Sequence, residues 1–115
     1  MHELGKALIG DCSYSSIEAV VGATFPDAAR RLRSLMPQAF IVITGYGAQG
    51  ASGRNSAACF NSDGLSAIVS SSRAINYAYP DEDLNSRSFA NCIRKNTLRM
   101  IDDITTALAV AARAG

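Results

Sequence analysis

Tryptophan is absent and aromatic residues make up only 7% of the chain. That disfavours the stacking platforms that hold single-stranded nucleic acid. Net charge is also nearly absent: 11 Lys and Arg oppose 10 Asp and Glu, leaving +1. No strong field therefore favours a polyanion or an anionic membrane. The single histidine, His2, stands at the start, and Cys12, Cys59 and Cys92 are far apart with no C-x-x-C pair. This spacing speaks against a structural zinc site. So few cysteines, odd in number, fit reduced and mostly buried thiols in a cytoplasmic protein. No apolar run nears the roughly 20 residues of a membrane span. The opening Met1-His2-Glu3-Leu4-Gly5-Lys6 lacks the apolar centre of a secretory signal.

What is present suits one domain with a real core: 115 residues, 48% of them hydrophobic. Leu4, Ala7 and Leu8 have helical spacing and predict the last turns of a helix ending near Gly10. Asp11 to Ser16 reads as a loop, and Ala19-Val20-Val21-Gly22-Ala23 as a short strand. Its lack of polar alternation predicts a parallel sheet covered on both faces. Thr24-Phe25-Pro26-Asp27 is a helix start, with Thr24 able to cap, Pro26 in the first turn and Asp27 at the positive dipole end. Ala28, Leu32, Leu35 and Met36 form the expected inner face of that helix; Arg30, Arg31 and Arg33 form the outer one. Pro37 ends it. Phe40 to Ile43 is a second strand, Asn55 to Phe60 a short helix, Asn61-Ser62-Asp63-Gly64 a turn, and Ser66 to Ser70 a third strand. Tyr77 to Asp83 reads as a loop. From about Ser88, Phe89, Ile93, Met100, Ile104, Leu108 and Ala111 mark a long helix. The alternation predicts an α/β fold with a parallel sheet and right-handed crossovers.

Two strands open into loops suited to an anion. Phe40-Ile41-Val42-Ile43 leads to Gly45-Tyr46-Gly47-Ala48-Gln49-Gly50, and Ala67-Ile68-Val69 leads to Ser70-Ser71-Ser72-Arg73. The first loop offers backbone N–H groups at close approach; the second offers hydroxyls and a guanidinium, which suits bidentate phosphate binding. In parallel (β/α) barrels a phosphate commonly sits after the seventh and eighth strands. Gly45, Gly47 and Gly50 also spell the dinucleotide pattern G-x-G-x-x-G. The usual acidic residue after the next strand is missing, although Arg73 could accept a 2′-phosphate. The loop also runs on through Ala51-Ser52-Gly53 before any helix, whereas a dinucleotide-binding helix starts at the motif. A purely structural glycine turn and a surface Arg73 are the plainer alternatives. Thr24, at the end of the first strand, could reach the same cleft instead of capping its helix.

Val20-Val21-Gly22-Ala23-Thr24-Phe25-Pro26, Gly45-Tyr46-Gly47-Ala48-Gln49-Gly50 and Ser71-Ser72-Arg73-Ala74-Ile75, in this order, resemble the C-terminal part of the orotidine 5′-phosphate decarboxylases, most closely the longer bacterial-type subfamily. The similarity runs from Leu4 through the last helix. It implies that residues 1–115 are part of a TIM (β/α)₈ barrel, about strands six to eight with their helices. It implies a cytoplasmic carboxy-lyase of pyrimidine synthesis that turns orotidine 5′-phosphate into uridine 5′-phosphate and CO₂ without a cofactor. The complete enzymes are typically homodimers. By the same resemblance Gln49 lies at the phosphate, Arg73 grips it by side chain with the Ser72 and Arg73 N–H groups helping, and Gly45 and Gly47 let the loop backbone approach. Two residues depart from the family pattern: Thr44 stands where Pro is usual, and Ser70 where Asn is frequent.

The family's proton donor is a lysine in an Asp-x-Lys-x-x-Asp array on the early strands. Only Lys6 and Lys95 occur here, neither in that pattern. The expectation is a C-terminal fragment that carries the phosphate grip, has no catalytic residue of its own and lacks the early strands. The alternatives are a non-catalytic half-barrel that binds a phosphate ligand or pairs with a separate N-terminal piece, and an NADP-binding domain.

Overall fold

The computed structural model describes residues 2–78 and 86–115. The expected loop over Tyr77 to Asp83 lies outside these from Tyr79 on. The chain runs α1 (His2–Lys6), β1 (Ser15–Gly22), α2 (Pro26–Leu35), β2 (Ala39–Thr44), α3 (Gly53–Ala57), β3 (Ala67–Val69), α4 (Ser72–Asn76) and α5 (Ser86–Ala114). The strands form one parallel sheet in the order β1-β2-β3. The expected α/β alternation is present, with one addition, the short helix α4.

Parallel strands point all their C-terminal ends one way, and register brings those ends level. Gly22 lies beside Thr44, and Ile43 beside Val69. Ala23 N–H donates to Thr44 O at 2.9 Å and Ser70 N–H to Ile43 O at 2.8 Å, so pairing continues to the mouths of the loops.

The first strand starts earlier than its apolar run. Ser15 N–H donates to Gln38 O at 2.8 Å, and Ser15 pairs with Ala39 before an irregularity that ends at Glu18. The expectation of a sheet buried on both faces is corrected. Val21, Ile41 and Ile43 point into the core with Ala29 and Cys59, whereas Val20 is 72% and Ile68 54% exposed on the other face. Among the described residues, the helices cover one side only. Among the cysteines only Cys59 is buried; Cys12 is exposed and Cys92 intermediate, against the expectation of mostly buried thiols.

Helix α2 starts with Pro26 at its first position, as expected, and carries Asp27 in its first turn. Thr24 is not its cap: Phe25 occupies that place, without a side-chain capping bond. The inward face is also rotated from the expected one. Ala29, Arg33 and Met36 are buried, whereas Leu35 is 58% exposed and Ala28 is exposed. Arg33 enters the core because its donors find carbonyl oxygens there. Its Nε donates to Cys59 O (2.8 Å), Nη1 to Met36 O (2.8 Å), Pro37 O (3.2 Å) and Ala39 O (2.9 Å), and Nη2 to Ala39 O (2.9 Å) and Ser66 O (3.1 Å). Burial pushes its pKa down.

The turn at Asn61 to Gly64 forms as read. Gly64 N–H donates to Asn61 O (2.9 Å), Leu65 N–H to the Asp63 carboxylate (2.9 Å), and Gly64 has φ 77°. Helix α5 lays Met100 and Ile104 on the core, packs against α3 and α4, and exposes Ala111.

Candidate phosphate-binding site

The glycine loop leaves β2 through residues that need left-handed backbone. Gly45 has φ 90° and Gly47 φ 74°, a region side chains rarely enter. Space demands glycine as well. A Cβ on Gly45 would lie 2.8 Å from Gln49 Oε1, so Gln49 folds back over the loop's start. A Cβ on Gly47 would lie 3.1 Å from the Cβ of Ala74 and 3.9 Å from Ser71 Oγ. Gly47 is therefore where the glycine loop meets the segment after β3.

A hydrogen bond fixes that meeting: Ser71 Oγ donates to Tyr46 O at 3.1 Å. Within the loop, Gly47 N–H donates to Ala51 O, Ala48 N–H to Tyr46 O and Gly50 N–H to Gly47 O, each at 2.9 Å. These bonds make a closed turn rather than an open strap. Ser72 and Arg73 form the start of α4, where the first-turn N–H groups have no acceptor within the helix. Both residues are exposed, as is Gln49, while Gly45 is half-buried. Thr24 is exposed beside β1's last residue, its Oγ1 3.8 Å from where a Gly22 Cβ would stand. The structure thus brings Gly45, Gly47 and Gln49 together with the Ser71–Ala74 segment, and puts Thr24 at the same end of the sheet, two strands over from β3.

The two lysines are elsewhere. Lys6 pairs with Glu3 at 2.8 Å on α1, whose Gly5 lies against Ser15 at the opposite end of β1. Lys95 is exposed on α5.

Two residues of this region, Tyr46 and Asp103, carry no signal in the sequence as site parts. Tyr46 Oη donates to the Asp103 carboxylate at 2.8 Å, and Gly53 N–H donates to the same oxygen at 2.6 Å. Burial first, then the bond to Asp103 and its charge, push the Tyr46 phenol up to about 12. Ser71 supplies the bridge between loops. Tyr46 and Ser71 fall inside quoted motifs, but Asp103 is 57 residues from Tyr46 and nothing in its surroundings marks it.

These features define a parallel α/β unit whose second and third strands end in two joined loops, the first built on glycines. No protein-family model matches the chain. Curated proteins do. The orotidine 5′-phosphate decarboxylase of Clostridium tetani is 39% identical over 108 residues, which cover 94% of this chain and 37% of that protein. That of Petrotoga mobilis is 38% identical over 104 residues, covering 90% of this chain and 36% of that protein. That of Deinococcus radiodurans is 47% identical over 70 residues, covering 61% of this chain and 26% of that protein. The chain is homologous to part of the orotidine 5′-phosphate decarboxylases, and spans about a third of the length of the curated relatives it matches.

Proposed function

We propose that the chain is the phosphate-gripping part of an orotidine 5′-phosphate decarboxylase. It corresponds to about strands six to eight of the barrel and binds the 5′-phosphate of orotidine or uridine monophosphate in a cytoplasmic pathway. The observation that carries this reading is the joining of the two loops: Ser71 Oγ on Tyr46 O, and Gly47 against Ala74. A phosphate there meets the glycine-loop backbone on one side. On the other it meets the Ser72 and Arg73 N–H groups and the Arg73 guanidinium. Gln49 adds a neutral amide, and Thr24 a hydroxyl across the cleft. The complete enzyme pairs as a homodimer and needs no cofactor.

Decarboxylation leaves a carbanion that must be protonated by a positioned ammonium. Lys6, tied to Glu3 at the far end of β1, and Lys95 on α5 do not take that place. Phosphate binding remote from the reacting carbon can stabilise the transition state but cannot supply the proton. The chain alone is therefore expected not to convert orotidine 5′-phosphate. Adding the first two-thirds of a relative restores turnover if the two parts assemble. Steady turnover by the purified chain, lost on Arg73→Ala, would show that the chemistry is housed here.

Calorimetry with uridine 5′-phosphate and with uridine tests the grip directly. The nucleotide is expected to bind the chain measurably more tightly than the nucleoside. Arg73→Ala should remove on the order of 2–4 kcal/mol of that binding, as a lost charge-assisted contact does. Gln49→Ala should do less, because an amide makes only neutral-donor bonds. Equal affinity for nucleotide and nucleoside, or an Arg73→Ala effect below about twofold, contradicts the proposal.

A further inference from the structure

We propose that Asp103, on the distant helix α5, is the positioning residue that fixes the conformation of the glycine loop. The inference adds to the phosphate reading a residue that makes no contact with the ligand itself.

One oxygen of the Asp103 carboxylate receives both Tyr46 Oη, at 2.8 Å, and Gly53 N–H, at 2.6 Å. Tyr46 stands at the start of the loop and Gly53 just after its end. A single carboxylate thus ties together the two ends of a segment that would otherwise be free to open. The approach of α5 is close enough to exclude any side chain at Gly53: a Cβ there would lie 2.5 Å from Asp103 O and 2.8 Å from its Cγ. From Tyr46 the connection continues, since Tyr46 O accepts Ser71 Oγ at 3.1 Å and Ala48 N–H at 2.9 Å. Asp103, Tyr46 and Ser71 therefore form one chain of bonds from α5, through the glycine loop, to the segment that carries Ser72 and Arg73. A loop held at three points keeps one backbone arrangement, so less freedom is lost when an anion binds beside it.

Burial, and then the bond to Asp103 and its charge, hold the Tyr46 phenol in its neutral, donating form well beyond the ordinary tyrosine value of 10.0. This gives a readout specific to the contact. The chain, labelled with ¹³C at the tyrosine ring and ¹⁵N at the backbone, is titrated by NMR in parent, Asp103→Asn and Tyr46→Phe forms. In the parent Tyr46 is expected to stay protonated well above the ordinary tyrosine value of 10.0. In Asp103→Asn it titrates earlier. In both variants the Gly47, Ala48 and Gly50 amide signals move, and uridine 5′-phosphate binds about fivefold to tenfold more weakly, as for one or two lost hydrogen bonds. Tyr46→Phe changes one atom on a half-buried ring, so it reports on the clamp even if Asp103→Asn folds poorly. Unmoved loop amides in Tyr46→Phe, or an unchanged Tyr46 titration in a folded Asp103→Asn, overturn the inference. If the amides and the Tyr46 titration respond but the parent chain does not distinguish uridine 5′-phosphate from uridine, the clamp stands and the phosphate reading fails.

Discussion

Arg33→Ala is expected to unfold the chain at room temperature or bring it to the edge of unfolding. Arg33 is 6% exposed and its guanidinium reaches five carbonyl oxygens, from α2's own end (Met36, Pro37), the start of β2 (Ala39), the turn after α3 (Cys59) and the residue before β3 (Ser66). It therefore closes the N-terminal end of the sheet much as the glycine loop closes the other. Some of these oxygens have a second donor: Ile41 N–H reaches Ser66 O at 3.0 Å, and Asn61 Nδ2 reaches Pro37 O at 2.9 Å. The loss is thus smaller than a sum over bonds. Each buried acceptor left bare costs about 1–3 kcal/mol, and the vacated volume adds to that. A total on the order of 3–5 kcal/mol is a large share of the 5–15 kcal/mol that separates a typical domain from its unfolded state. Arg33→Lys should rescue little. An ammonium has three donors on one atom and cannot span acceptors that a planar fork reaches on three sides. Urea unfolding followed by circular dichroism measures the difference. A loss below about 1 kcal/mol for Arg33→Ala would mean that water or the backbone itself satisfies these carbonyls.

Arg33 also shows where sequence reading stops. Helical periodicity assigns it to the solvent side with Arg30 and Arg31, because charge ordinarily faces water. Its burial depends on acceptors drawn from segments up to 33 residues apart, a convergence that no local pattern contains. The same holds for Asp103, whose partners sit 50 and 57 residues away. By contrast, the loop after β2 was legible because Gly45 and Gly47 are needed at positive φ whatever lies around them. The turn at Asn61 to Gly64 was legible for the same reason. The start of β1 was missed because Ser15, Ser16 and Glu18 are polar. Ser15 and Glu18 pair with β2 at the sheet's edge, where one face meets water and apolar character is not required. Helix α4 was missed because its five residues carry no apolar period. The joining of the two loops was expected from the order of strands. The atoms that join them, Ser71 Oγ and Tyr46 O, were not.

The second large effect is expected at the sheet face that the helices leave open. Val20 at 72% and Ile68 at 54% exposure stand on it, with Val42 half-buried between them in register and Phe40 half-buried beside Glu18. These apolar side chains alternate with the core-facing Val21, Ile41, Ile43 and Val69, so each strand carries apolar side chains on both sides, with Glu18 as a charged exception on β1. Strands of that kind belong to sheets covered twice. In a closed barrel the second cover is the barrel interior, formed with the remaining strands. Among the described residues, the outer edge of β1 beyond Ser16 and that of β3 have no strand beside them, and unpaired edges beside an apolar face are templates for association. The purified chain is therefore expected to self-associate at micromolar concentration, face against face, unless a polypeptide equivalent to the other two-thirds of its relatives is supplied. Removing apolar area from water is worth about 25 cal/mol per Å². Val20→Lys with Ile68→Lys takes away enough of it, and adds enough repulsion between copies, to weaken association by at least about tenfold. Neither side chain belongs to the buried core, so the melting curve of the double variant should keep its shape. Sedimentation velocity across a dilution series separates the outcomes. A parent chain that remains a monomer with a sharp, cooperative melt would mean that three strands and one helical layer suffice as a fold, and that the open face is stable in water as it stands.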